Sequence, residues 1–230
     1  MTNTTISAAE MAQYIDHTLL KPDATLDALA QLGAEAISYG FKAVCVNSGH
    51  VAYMAGKLQG AGVAVCTVVG FPLGAMQTRA KAFEAENAVA EGAAELDMVL
   101  NIGALKSGDL KTVEADIKAV RKVAESQIVL KVIIETGLLT TDEKIKACEI
   151  TKNAGADFVK TSTGFSGGGA SVEDVALMRE VVGQKMGVKA SGGIKDWSTA
   201  MAMVKAGANR IGTSSGIVIV ENAPESMRSL

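Results

Sequence analysis

Apolar and polar positions along the chain fall into two alternating rhythms. Short runs rich in valine, isoleucine and alanine recur: YIDHT from Tyr14, KAVCVN from Lys42, VAVCTVVG from Val63, AELDMVLN from Ala94, VLKVIIE from Val129, ADFVKTS from Ala156, GVKASGG from Gly187 and NRIGTSS from Asn209. Most are nearly continuously apolar rather than alternating, the pattern of parallel strands covered on both faces. Between them lie stretches with helical spacing, such as MQTRAKAFEAENAVAEG and DLKTVEADIKAVRKVAES, the second opening on Asp109 as its N-cap. Gly92, Gly155 and Gly207 each end such a stretch, where a left-handed cap suits a residue without a Cβ. ISAAEMAQ predicts a further short helix across the bottom of the fold.

Eight strand and helix units within 230 residues predict an α/β fold, a single (β/α)8 TIM barrel forming one domain over residues 1–230, in preference to an open doubly wound sheet. Proline occurs only three times, and no proline- or serine-rich linker divides the series.

Charge removes several classes of partner. With 22 Lys and Arg against 25 Asp and Glu, the net charge of -3 leaves no basic excess to neutralise a phosphodiester backbone or a membrane surface. The opening MTNTTISAAE has neither a cationic leader nor an apolar core, so a cytoplasmic protein is expected. Cys45, Cys66 and Cys148 give an odd count with no CxxC pair and are read as core thiols. His17 and His50 show no ligand spacing with the carboxylates, so no metal is expected.

The chemistry stands inside the strands. Asp97 lies in ELDMV, Lys131 in LKVI, Lys160 at the end of DFVK and Lys189 in VKASGG, on the fourth to seventh strands. In a barrel these strands are neighbours, and four charges converge on one lumen. Ordinary core positions rarely hold lysine, and three lysines against one aspartate leave positive charge uncompensated. A crowded, desolvated lysine favours its neutral amine, a nucleophile toward carbonyls, so Lys160 or Lys189 is a candidate for Schiff-base formation. Glycine-rich loops follow the last three strands. TIM barrels bind phosphate at the loops after strands 7 and 8, which nominates Gly192, Gly193, Ser214 and Ser215 as donors. Of Asp16, His17 and Thr18 at the end of the first strand, one is expected to face the lumen. Asn47 is placed to orient substrate, and Phe71 with Pro72 either to exclude water or simply to pack.

YIDHTLLKPDAT, VCTVVGFPLGA, ELDMVLNIG, LKVIIETGLLT, ADFVKTSTGF, VKASGGIKD and RIGTSSG together resemble the deoxyribose-phosphate aldolase family, over nearly the whole chain. The resemblance implies a class I aldolase that reversibly cleaves 2-deoxy-D-ribose 5-phosphate to D-glyceraldehyde 3-phosphate and acetaldehyde without a cofactor. It selects Lys160 as the Schiff-base lysine, Lys189 as its cationic neighbour, and Asp97 as a proton shuttle acting through water. It implies substrate-binding positions at Thr18, Lys131, Gly164, Gly192, Gly193, Ser214 and Ser215, with Lys131 in the polar network beside Asp97. Homodimers are common in the family. Two positions depart from it: Phe165 stands where some members carry a phosphate-binding lysine after TSTG, and the ending ENAPESMRSL lacks a terminal tyrosine. Phosphate binding is therefore expected to rest on backbone amides and hydroxyls. The rival readings are another lysine-imine aldolase or transaldolase acting on a different sugar phosphate, and a catalytically silent phosphate-binding barrel.

Overall fold

In the computed structural model, which describes residues 6–228, all eight apolar runs are strands: β1 (Ile15–Leu19), β2 (Ala43–Val46), β3 (Ala64–Val69), β4 (Glu95–Val99), β5 (Val129–Ile133), β6 (Phe158–Lys160), β7 (Gly187–Ser191) and β8 (Arg210–Thr213). They pair in parallel in chain order, and β8 returns to β1 to close the barrel, with Ile15 opposite Ile211 and Asp16 opposite Gly212. Closure leaves no open sheet edge. The readings of the leader and of the chain end rest partly on residues 1–5 and on Ser229 and Leu230, which lie outside the described residues.

Helices α1 (Ala8–Ala12), α2 (Leu26–Ser38), α3 (Val51–Lys57), α4 (Thr78–Ala90), α5 (Ile102–Lys106), α6 (Leu110–Ala124), α7 (Thr141–Asn153), α8 (Val172–Val182), α9 (Trp197–Ala206) and α10 (Gly216–Glu221) surround the strands. Their ends follow local chemistry. Asp109 accepts the Thr112 amide at the start of α6, and Thr140 with Glu143 forms a capping box on α7. Gly92, Gly155 and Gly207 have φ of 105°, 82° and 114°, the conformation that lets each chain turn from helix to strand. The short N-terminal helix is present as α1. Its Ala12 carbonyl accepts the Lys42 amide just before β2, which sets it at the N-terminal end of the strands.

The outward faces of the strands, Leu96 and Met98 on β4 among them, are fully buried beneath the helices in one apolar layer. Alternate residues point inward, and there the polar side chains collect. Two strands are shorter than their apolar runs suggest. The run from Val129 reads as strand through Glu135, but β5 stops at Ile133, because Glu135 takes a left-handed φ of 57°. Likewise β6 ends at Lys160, and the hydroxyl-rich Thr161 to Thr163 leaves the sheet as a loop.

Candidate active site

Strand register brings the charged positions together. Asp97 pairs with Lys131 across β4 and β5, and Lys160 with Lys189 across β6 and β7. Alternation does the rest: Glu95 and Asp97 share the inner face of β4, and Asp16 and Thr18 that of β1, while His17 faces outward to Glu35 on α2 at 2.7 Å. Two of the three residues at that strand end therefore face inward rather than the one expected, Asp16 into the ion network and Thr18 onto the cavity wall. Thr18 stands above Asp16, donating its hydroxyl to the Asp16 carbonyl at 2.8 Å.

The lumen holds more ions than the four anticipated. Arg210 on β8 bonds Asp16 at 2.8 Å and Glu95 at 2.9 Å. Lys131 spans Glu95 and Asp97, meeting Asp97 Oδ1 at 2.8 Å. Lys189 spans Asp16 and Asp97, meeting Asp97 Oδ2 at 2.7 Å. Lys160 bonds Asp97 Oδ2 alone, also at 2.7 Å. Four cations therefore face three carboxylates, and the surplus is one positive charge rather than the two implied by three lysines and Asp97 alone. Asp16 was one of three alternatives in the sequence; Glu95 and Arg210 were missed. Both carry the signal that found the lysines, a charge inside an apolar strand, and Glu95 stands two residues from Asp97.

Burial opposes the charges of Asp16, Asp97, Lys131, Lys189 and Arg210, and pairing outweighs it. Burial alone would push the Asp97 carboxyl up, but Lys131, Lys160 and Lys189 hold it well below the usual range. Asp16 is brought down to about 2 because Lys189, Arg210 and Lys131 overcome its desolvation. Lys189 and Lys131, which burial would pull down, are raised by their carboxylate partners and stay charged. The cysteines correct the core reading in part. Cys45 and Cys66 are opposite each other on β2 and β3, and Cys66 points at the ion network, its Sγ donating to Asp97 Oδ1 at 3.2 Å. Burial and Cys45 push the Cys66 thiol well up.

Above the network, at the C-terminal ends of the strands, lies a cavity of about 340 Å³ bounded by the loops after β1, β6, β7 and β8. Thr18, Lys160, Gly164, Gly192, Gly193, Ser214 and Ser215 all line it. Asp97, Lys131 and Lys189 do not. Lys131, grouped above with substrate-binding positions, sits fully buried between two carboxylates and belongs to the charge network instead. Lys160, 3% exposed, is the one network lysine on the cavity wall. One donor nomination narrows. The Ser215 amide is already used by Thr213 Oγ1 at 2.9 Å, leaving that residue its hydroxyl. Lys21 and Lys195 line the same cavity.

Asn47 lies away from this wall and holds the β1 loop through the Leu20 carbonyl at 3.3 Å. Phe71 packs edge-on against Phe165, ring centroids 5.2 Å apart at 83°. Those residues come from the loops after β3 and β6, which are not neighbouring strands, so the pair reaches across the barrel mouth and helps confine the cavity to its β6–β1 side. Among the described residues, no helix is long and apolar enough to cross a membrane.

Comparison with known proteins places this geometry. The family model of the DeoC/LacD aldolases matches residues 10–222. The chain is 60% identical to deoxyribose-phosphate aldolase of Brevibacillus brevis over 213 residues, 93% of this chain and 96% of the relative. It is also 60% identical over 219 residues to the enzyme of the same name from Thermococcus gammatolerans, again covering 93% and 96%. A solved tetrameric deoxyribose phosphate aldolase from Aeropyrum pernix superposes with a TM-score of 0.88 at 36% identity, covering 94% of this chain and 91% of that one. A closed barrel with a lysine-rich lumen, matched over nearly its whole length at such identity, belongs to the DeoC/LacD aldolase family.

Proposed function

We propose that the protein is a class I aldolase that reversibly cleaves 2-deoxy-D-ribose 5-phosphate into D-glyceraldehyde 3-phosphate and acetaldehyde, with Lys160 as the Schiff-base lysine. The observation that carries the assignment of roles is the unequal bonding of the lumen cations. Lys131 and Lys189 are each held by two carboxylates, whereas Lys160 has one carboxylate oxygen and faces the cavity. With one cation in surplus, the amine that reacts is the one least tied and most accessible.

In this reading the phosphate sits among Gly164, Gly192, Gly193 and the hydroxyls of Ser214 and Ser215, with Lys21 and Lys195 adding positive charge, and the sugar aldehyde points down to Lys160. The amine adds to C1, and the carbinolamine loses water to give a protonated imine. The C2–C3 bond then breaks, since two carbons leave as acetaldehyde. Its electron pair moves into the imine to form an enamine, while the C3 hydroxyl gives up its proton and departs as the aldehyde of glyceraldehyde 3-phosphate. Protonation at C2 and hydrolysis release acetaldehyde and the free amine. The imine itself is the electron sink, so the reaction as written calls on no cofactor.

Asp97 moves protons in these steps through water. Three ammonium groups make it a poor base at rest. Once Lys160 reacts through its neutral amine, one of the three is gone, and the carboxylate binds a proton more readily at the step that requires it. Lys189 stays charged on the same Asp97 oxygen that Lys160 meets. A cytoplasmic location and, on the family resemblance, a homodimer belong to this proposal, and light scattering on the purified chain checks the second point.

Borohydride reduction in the presence of acetaldehyde, followed by peptide mass mapping, tests the assignment. An N-ethyl group on Lys160 is the expected product. A label on Lys189 alone reverses the two roles. No label on folded protein points to the silent barrel, and preferential cleavage of keto sugars points to another imine aldolase.

A further inference from the structure

Just beyond β5 the chain spends stability on a single side chain. Ile134 donates its amide to the Lys160 carbonyl at 3.0 Å and Thr136 donates its amide to the Thr161 carbonyl at 2.9 Å, so this segment runs alongside the end of β6. Between them Glu135 adopts φ 57°, a left-handed conformation that disfavours residues with a Cβ, and is 1% exposed. Among the described residues no cation lies within ion-pair distance of its carboxylate. Among the described residues the carboxylate's hydrogen bonds all go to one residue: the Thr163 hydroxyl donates to Oε2, and the Thr163 amide lies 3.3 Å from Oε2 and 3.4 Å from Oε1. Thr163 Oγ1 in turn accepts the Phe165 amide at 3.1 Å. A strained backbone and a buried carboxylate without a counter-charge both oppose folding, and a fold keeps such a combination where the arrangement it imposes is used.

What it imposes is the position of a cavity wall. Thr163, Gly164 and Phe165 all line the cavity beside Lys160, at the end where the phosphate is read to sit. The next part of the same loop is locked onto the β7 loop, with Ala170 donating to the Gly192 carbonyl at 3.0 Å. A Cβ on Gly169 would fall 2.6 Å from that carbonyl oxygen. Glu135 thus pins the near end of a loop whose far end rests on Gly192.

We infer that Glu135 is a positioning residue, which through Thr163 fixes the β6 loop so that its backbone meets the phosphate end of the substrate. It touches neither the substrate nor the reacting carbons, and its loss is felt in binding rather than in imine chemistry. The inference rests on the aldolase reading above, and phosphate binding tests it separately.

Glu135→Gly is the informative variant, because glycine accepts φ 57° and only the carboxylate is lost. Hydrogen bonds to a charged group correspond to roughly a 10- to 100-fold change in binding. Glu135→Gly is accordingly expected to raise KM for deoxyribose 5-phosphate by about tenfold or more, with kcat within about threefold of the parent. Glu135→Gln, which keeps an acceptor for both Thr163 groups, restores KM to within about threefold. Thr163→Val reproduces most of the KM effect, and combining it with Glu135→Gly adds less than about twofold, as two members of one bonded pair do. Calorimetry with inorganic phosphate on the purified proteins shows affinity weakened by a similar factor in Glu135→Gly. The inference is overturned if kcat falls as far as KM rises, if the two substitutions multiply, or if phosphate affinity is unchanged. If the parent protein cleaves no deoxyribose 5-phosphate, the aldolase reading fails, and the phosphate measurement still decides the role of Glu135.

Discussion

Lys160 and Lys189 donate to the same oxygen of Asp97, each at 2.7 Å. Two ammonium groups on one carboxylate oxygen repel each other, and the difference between them lies in what else they touch. Lys189 also holds Asp16, whereas Lys160 has no second carboxylate. Removing Lys160 subtracts the surplus cation of the lumen; removing Lys189 leaves Asp16 and Asp97 short of a partner. Lys160→Met is therefore expected to abolish cleavage, by roughly 10⁴-fold or more, yet to keep its unfolding free energy within about 1 kcal/mol of the parent. Lys189→Met costs about 3–5 kcal/mol, the penalty for breaking a buried pair. Urea unfolding of the two variants beside the parent checks this. Equal destabilisation would mean that Lys160 is as much a structural counter-ion as Lys189.

The same network fixes the sign of the pH response. Asp16 has a folded value of about 2, below the value of about 3.9 expected in the unfolded chain. A depressed carboxylate contributes stability that is fully present above the unfolded value and is lost as pH falls through the folded one. The Asp16 contribution, on the order of 2–3 kcal/mol, is thus expected to vanish between about pH 4 and pH 2. Asp97, whose carboxyl is also held well below its ordinary value by Lys131, Lys160 and Lys189, adds to the loss as pH falls. Lys189 and Lys131 are raised, so their contribution is intact below about pH 10.4 and is lost only in stronger alkali. Urea midpoints measured from pH 6 to pH 2 for the parent and for Asp16→Asn isolate the Asp16 share from that of surface carboxylates such as Asp109 and Asp196, whose values are also lowered. Identical slopes for the two proteins would remove Asp16 from the account.

The strands were legible because eight apolar runs each had to be covered on both faces, and the lysines were legible because they interrupt those runs. Which carboxylates answer them was less so. Partners such as Arg210 and Asp16 are 194 residues apart in the chain and meet only because β8 closes on β1. Glu135 was hidden for a different reason. VLKVIIE continues to read as strand, and the left-handed turn that ends it is imposed by the pairing of Ile134 and Thr136 with the carbonyls of Lys160 and Thr161. Local propensity carries no trace of that pairing. Lys21 and Lys195 were passed over because lysines in loops after strands look like ordinary surface charge until the cavity is seen.

Phe165 is where the sequence departs from relatives with a lysine after TSTG, and its setting allows a direct test of what that departure does. The ring is 53% exposed, leans edge-on against Phe71, and lines the cavity. Phe165→Lys gives up an aromatic contact worth about 0.5–1.5 kcal/mol at most, and at such exposure the stability cost lies at the low end. It adds a cation at the cavity rim, where the proposed function seats the dianionic end of a sugar phosphate. KM for deoxyribose 5-phosphate is expected to fall about three- to tenfold at low ionic strength, the effect of roughly 0.7–1.4 kcal/mol, with kcat within about twofold. The gain should shrink as salt shortens the screening length from about 8 Å at 0.15 M to about 3 Å at 1 M. Cleavage of unphosphorylated 2-deoxyribose should not improve at any ionic strength, because it has no charge for the new ammonium to attract. A KM that does not move would mean that Lys21 and Lys195 already neutralise the phosphate. A salt-independent improvement would mean that the substitution acts by opening the Phe71 contact, which makes the aromatic pair a steric control on entry.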